Sequence, residues 1–113
     1  MTDQTTAPET AQPDMQEQIK QTVEDNPVVL FMKGNASFPQ CGFSGRAIQI
    51  LQALETEFVT VDVLSNDLVR EGIKVYSNWP TIPQLYVKGE FIGGSDIMTE
   101  MYESGELKQV LSA

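Results

Sequence analysis

VVLFMKGNASFPQCGFSGRAIQILQALETEFVTVDV, residues 28–63, decides the architecture of this chain. Val28 to Met32 is a short, unbroken apolar run, the pattern of a strand buried on both faces. A loop through Lys33, Gly34 and Pro39 follows. Then Phe43, Ala47, Ile50, Leu51 and Leu54 recur at helical spacing, so an amphipathic helix is expected from about Cys41. Phe58 to Val63 reads as the next strand. Two strands joined by a helix form a right-handed parallel unit.

Upstream, residues 1–13, MTDQTTAPETAQP, offer almost nothing to bury and are expected to be a disordered tail outside the folded unit of residues 14–113. Asp14 is a candidate N-cap with Glu17 three residues on. Met15, Ile19 and Val23 then repeat at helical spacing until Asn26-Pro27. Downstream, Asn66 or Asp67 is expected to cap a helix with Val69, Ile73 and Tyr76 on one face, ended by Trp79-Pro80. Gln84 to Val87 and Phe91-Ile92 flank Lys88-Gly89-Glu90 as a hairpin. Gly93-Gly94-Ser95 leads into a helix with Ile97, Met98, Met101 and Tyr102 inside, and Gly105 separates it from a last turn around Leu107, Val110 and Leu111. The order α-β-α-β-α-β-β-α-α describes an α/β domain with a four-stranded mixed sheet flanked by helices. That is the layout of the thioredoxin fold.

The 113 residues are 41% hydrophobic and 20% charged, which suits one compact domain. Sixteen Asp and Glu against seven Lys and Arg give a net charge of -9, a poor match for a phosphate backbone, so the expectation is no nucleic acid. No apolar run is long enough to span a bilayer, and the expectation is no membrane. Met1 to Asp14 has neither a secretory signal nor a transit-peptide bias. A single cysteine forms no internal disulfide and belongs in a reducing compartment, so a cytoplasmic location is expected. The absence of histidine excludes a Cys-His protease and most zinc sites.

Cys41 is the residue on which the chemistry turns. It falls where a strand-loop-helix turn presents a side chain to unpaired backbone N-H groups at a helix N-terminus. An ordinary thiol with a pKa of about 8.5 is about 3% ionised at pH 7, and making it mostly thiolate needs about 2.7 kcal/mol. A helix dipole supplies about 0.3–1 kcal/mol at an exposed site. Lys33, at the end of the preceding strand, is the expected additional charge. Pro39, Gln40, Gly42 and Ser44 surround the cysteine at a turn, whereas an inert core cysteine would sit in mid-element. A reactive nucleophile and a metal ligand both fit. Ser44 stands where a resolving sulfur would be, so any mixed disulfide must be resolved by an outside thiol. A [2Fe-2S] cluster wants four thiolates. One chain provides one, and two chains with two small thiols, such as the abundant glutathione, complete the set.

Lys33-Gly34, Pro39, Cys41-Gly42-Phe43-Ser44 and WPTIPQLYVKGEFIGGSD from Trp79 to Asp96 together resemble the CGFS-type monothiol glutaredoxins, over residues 15–111. The resemblance implies that Cys41 ligates iron and that glutathione lies across the loop ends, its thiolate completing the cluster. It also implies that Lys33 and Arg70 meet the glycine carboxylate, that Ile82 pairs through its backbone before a cis Pro83, and that Ser95 and Asp96 meet the γ-glutamyl end. Phe43 and Gly94 belong to the same expected groove. At Ser95 many relatives carry a second cysteine, so disulfide chemistry within this chain is removed. The function so implied is a homodimeric [2Fe-2S] carrier of the single-domain, bacterial type, delivering clusters in biogenesis or iron homeostasis, with BolA-like and iron-sulfur acceptor proteins as partners. The alternative is a glutathione-dependent oxidoreductase using Cys41 as nucleophile.

Overall fold

A computed structural model describes residues 13–113. In chain order it contains α1 (Pro13–Asp25), β1 (Val28–Met32), α2 (Gly42–Ala53), β2 (Val59–Asp62), α3 (Asp67–Ser77), β3 (Gln84–Val87), β4 (Glu90–Gly93), α4 (Ser95–Ser104) and α5 (Glu106–Ser112). The expected tail, residues 1–13, lies outside the described residues except for Pro13. That proline takes the first helical position, where its fixed φ and missing N-H are tolerated, so Asp14 lies in the first turn and is not the cap.

The four strands run in the order β2-β1-β3-β4. β1 is parallel to β2, with Leu30 opposite Thr60, and antiparallel to β3, with Leu30 opposite Leu85. β3 and β4 are antiparallel and joined by Lys88 and Gly89. Both joining residues have positive φ, 53° and 84°, the primed turn whose twist matches a hairpin. This is the mixed sheet of the thioredoxin fold.

β1 is apolar throughout because it is central and covered on both sides. Strand side chains alternate faces. Accordingly Leu30 and Met32 join Ala47, Ile48, Leu51, Leu85, Met98 and Leu107 under α2, α4 and α5. Val29 and Phe31 join Met15, Ile19, Val23, Ile73 and Tyr86 under α1 and α3. The second layer closes tightly at Gly72, where an added Cβ would stand 2.7 Å from Met15 Cγ.

Several expected details differ. Asn66, not Asp67, caps α3, its side-chain oxygen accepting from the N-H groups of Leu68 and Val69. The helix ends one residue before Trp79-Pro80, because Asn78 turns left-handed at φ 56° and its N-H closes back onto the Lys74 and Val75 carbonyls. Phe43, Ile97 and Tyr102 were expected to face inward and are exposed. Phe43 and Ile97 lie in the first turns of α2 and α4, which line a groove instead of covering the sheet.

Candidate functional site

The C-terminal end of β1, the start of α2, the Trp79–Pro83 segment and the start of α4 converge on one edge of the sheet. They enclose a groove of about 610 Å³. Its walls include Lys33, Phe43, Arg70, Ile82, Pro83, Gly94, Ser95 and Asp96. Every expected site residue except Cys41 therefore lines one cavity. Cys41 is tied to it instead, two residues before Phe43 and bonded through Ser44 toward Lys33.

Cys41 is the N-cap of α2, with extended backbone at φ -154° and ψ 157°. Its Sγ accepts the N-H of Ser44 at 3.3 Å and lies 3.5 Å from the Ser44 hydroxyl. Ser44 is fully buried, and its Oγ accepts the backbone N-H of Lys33 at 3.0 Å. With one lone pair engaged by that N-H, the hydroxyl proton is free to donate to sulfur. Burial pushes the Cys41 thiol up, but the Ser44 hydroxyl, the N-H groups of Ser44 and Phe43, and the Lys33 charge outweigh it, and the pKa lies below the ordinary thiol value. Lys33, expected to be the chief helper, contributes least among these. The hydroxyl of Ser44 does more because it touches the sulfur. Cys41 is partly exposed, so the sulfur can meet a partner.

The loop delivering Cys41 is closed on itself. Gln40 donates its N-H to the Lys33 carbonyl at 2.8 Å, Gly34 bridges Pro39, and Gly34 donates to Asp62 Oδ1 at 3.0 Å. Gly34 has φ 89° and its Cα faces the Phe38 carbonyl so closely that no side chain fits there.

The opposite wall is the Trp79–Pro83 segment, with the Ile82-Pro83 peptide in cis. It is braced from beneath by Gln84, fully buried, whose amide donates to the carbonyls of Trp79 and Thr81, each at 3.1 Å. At the third wall α4 begins with Gly94 as a cap that has no side chain to satisfy the first N-H groups, and Asp96 lies in the first turn. An added Cβ on Gly94 would press to 3.2 Å from the Pro83 carbonyl.

Arg70 departs from the simple expectation of a free cation. Its guanidinium lies 3.3 Å from Asp67 and 3.6 Å from Glu71, and Glu71 also reaches Lys74 at 3.4 Å. Glu71, Lys74, Trp79, Thr81 and Ile97 line the groove but were not singled out as site residues. Asp67 with Arg70 and Glu71 with Lys74, each three residues apart on a predicted helix, were readable signs of ion pairing, whereas the contact between the chain neighbours Arg70 and Glu71 was not. In the sequence Trp79 reads as a helix stop and as the start of the Trp79–Asp96 motif, without a contact of its own.

A partly exposed thiol held below its ordinary pKa at a helix start, next to a groove on a thioredoxin-type sheet, defines a thiol-chemistry protein of the thioredoxin superfamily. The family model "Glutaredoxin" matches residues 28–92. An uncharacterized monothiol glutaredoxin ycf64-like protein of Synechocystis sp. is 56% identical over 99 residues, covering 88% of this chain and 92% of that protein. Mitochondrial monothiol glutaredoxin-5 of Schizosaccharomyces pombe is 56% identical over 96 residues, covering 82% of this chain and 66% of that protein. The solution structure of reduced poplar apo GrxS14 superimposes with a TM-score of 0.77 at 50% identity, covering 87% of this chain and 90% of that one. A crystal structure of a buckwheat glutaredoxin-glutathione complex shares the fold, with a TM-score of 0.78 at 24% identity, covering 88% of each chain. The chain belongs to the glutaredoxin family, and these relatives at high identity are of the monothiol kind.

Proposed function

We propose that this chain is a CGFS-type monothiol glutaredoxin that holds a [2Fe-2S] cluster as cargo between two copies. Cys41 of each copy and two glutathiones supply the four thiolates. The observation that carries this reading is the state of the one sulfur: partly exposed, acidified, and without a second cysteine anywhere in the chain. Iron binding needs thiolate, so lowering the thiol pKa favours ligation at neutral pH. With one cysteine and no histidine the chain must borrow ligands, and borrowed ligands make the cluster easy to hand on.

The groove supports glutathione as the lender. In this reading Lys33 and Arg70 take the glycine carboxylate, the Ile82 backbone before Pro83 pairs with the ligand like an added strand, and Ser95, Asp96 and the start of α4 take the γ-glutamyl end. Phe43, Pro83 and Gly94 supply contact surface. A glutaredoxin of the same fold was solved in complex with glutathione, which supports glutathione as the lender. Iron-sulfur acceptors are the partners this role requires, and the family resemblance adds BolA-like proteins. The single-domain bacterial type and the cytoplasm complete the proposal. Among the described residues no helix is long and apolar enough to cross a membrane.

Anaerobic reconstitution with ferrous iron, sulfide and glutathione tests the reading. Visible absorption that requires glutathione, with a monomer-to-dimer shift lost in Cys41→Ser, is the expected result. A colourless monomer that turns over glutathione mixed disulfides briskly would replace it with the oxidoreductase alternative. Lys33→Ala, Arg70→Ala and Asp96→Ala should each weaken glutathione binding, and unchanged affinity in all three would remove the placement.

A further inference from the structure

The cationic side of the groove contains its own anion. Glu71 lines the cavity between Arg70 and Lys74, with Oε2 3.6 Å from Arg70 Nε and 3.4 Å from Lys74 Nζ. All three side chains are comparably accessible, at 34–38%. Arg70 Nε is shielded from solvent and has no hydrogen-bond partner, so Glu71 neutralises the guanidinium without satisfying it. Asp67 touches the same guanidinium at 3.3 Å, but it is 82% exposed and does not line the groove.

We propose that Glu71 is an internal competitor for the ligand carboxylate, a specificity-determining residue that weakens the capture of anionic tripeptides by Arg70 and Lys74. The proposal rests on glutathione being the ligand of this groove. A carboxylate arriving at Arg70 meets a site already partly neutralised, and it must either share the guanidinium with Glu71 at like-charge cost or push Glu71 aside. Removing the charge of Glu71 while keeping its shape therefore strengthens binding, the opposite of what loss of a supporting contact would do. Partly exposed ion pairs of this kind limit the change to about two- to fivefold.

Glutathione is titrated into the wild-type chain, Glu71→Gln, Glu71→Ala and Asp67→Asn, with thermal melts confirming the fold of each. Both Glu71 variants should bind about two- to fivefold more tightly, while Asp67→Asn changes affinity by less than twofold. The gain should shrink in an Arg70→Ala background and vanish when Lys74→Ala is added to it, and it should also vanish with glutathione whose glycine carboxylate is converted to an amide. Glu71 variants that bind equally or more weakly would overturn the proposal, as would an Asp67→Asn gain as large as that of Glu71→Gln, which would indicate net charge alone. Failure of the wild-type chain to bind glutathione at all would instead overturn the functional reading itself, so the two failures are distinct.

Discussion

Replacing Ser44 with alanine isolates the hydroxyl that the structure places against the sulfur. The bond is 3.5 Å long, and the same oxygen accepts the Lys33 N-H at 3.0 Å. A hydrogen bond to an ionised group contributes about 1.5–3 kcal/mol. At this length and with a partly exposed sulfur the low end applies, about 1.5 kcal/mol, which is roughly a tenfold loss of thiolate at a pH well below the pKa. A more basic thiolate is also a better nucleophile, with a Brønsted slope of about 0.4–0.5, so the remaining thiolate reacts about threefold faster. Reaction with a small aromatic disulfide, followed by stopped flow across pH, should then be about threefold slower in Ser44→Ala at low pH and about threefold faster at high pH. The two profiles cross. A variant profile parallel to wild type, or one with its inflection at lower pH, would refute the assignment of Ser44 as the main acidifying contact. The substitution also leaves the part-buried Lys33 N-H without its acceptor and should lower stability by about 1 kcal/mol, so the kinetics are measured well below the melting point.

Three other outcomes are expected. Because the folded state lowers the Cys41 pKa, the stability it adds is present above the unfolded thiol pKa of about 8.5 and lost as pH falls through the folded value. Wild type should therefore gain on Cys41→Ser in urea melts as pH rises across that window. Gly72→Leu inserts a side chain where even a Cβ meets Met15 Cγ at 2.7 Å, and it should cost about 1–3 kcal/mol in urea unfolding. Gln84→Leu removes the amide bonds to the Trp79 and Thr81 carbonyls, leaving Trp79 only the 3.4 Å contact from the Ser77 hydroxyl. Denaturant titration should show a loss of about 1–3 kcal/mol, accompanied by weaker glutathione binding because that segment is a groove wall.

The sheet was legible where hydrophobic pattern alone decides the outcome. The unbroken run from Val28 to Met32 can only be covered on both sides, and the spacing of Ala47, Ile50 and Leu51 can only bury one helical face. Pattern failed at the helix starts. Phe43 and Ile97 have the right periodicity but lie in first turns beside the groove, where no core exists to receive them. The residues expected around the groove came from the family resemblance, not from periodicity, and the structure brings all of them but Cys41 to the wall of one cavity. Their electrostatics were less legible. The hydroxyl of Ser44 was read only as the lack of a second sulfur, although its contact with Cys41 matters more than the Lys33 charge. Gln84 was legible as a strand start but not as a brace, since that role exists only once Trp79 to Thr81 presents two carbonyls to it.

The closed loop from Lys33 to Gln40 bears on the kinetics of exchange. Its ends are hydrogen-bonded to each other, one end continues the central strand, and the other leads directly into the helix that Cys41 caps. A donor atom mounted this way requires no ordering of its own backbone when a guest arrives, and no unwinding when the guest leaves. In the cluster carrier proposed above, residence time would then be governed by the departing glutathiones, and a receiving protein would take the cluster without the Cys41 loop unfolding first.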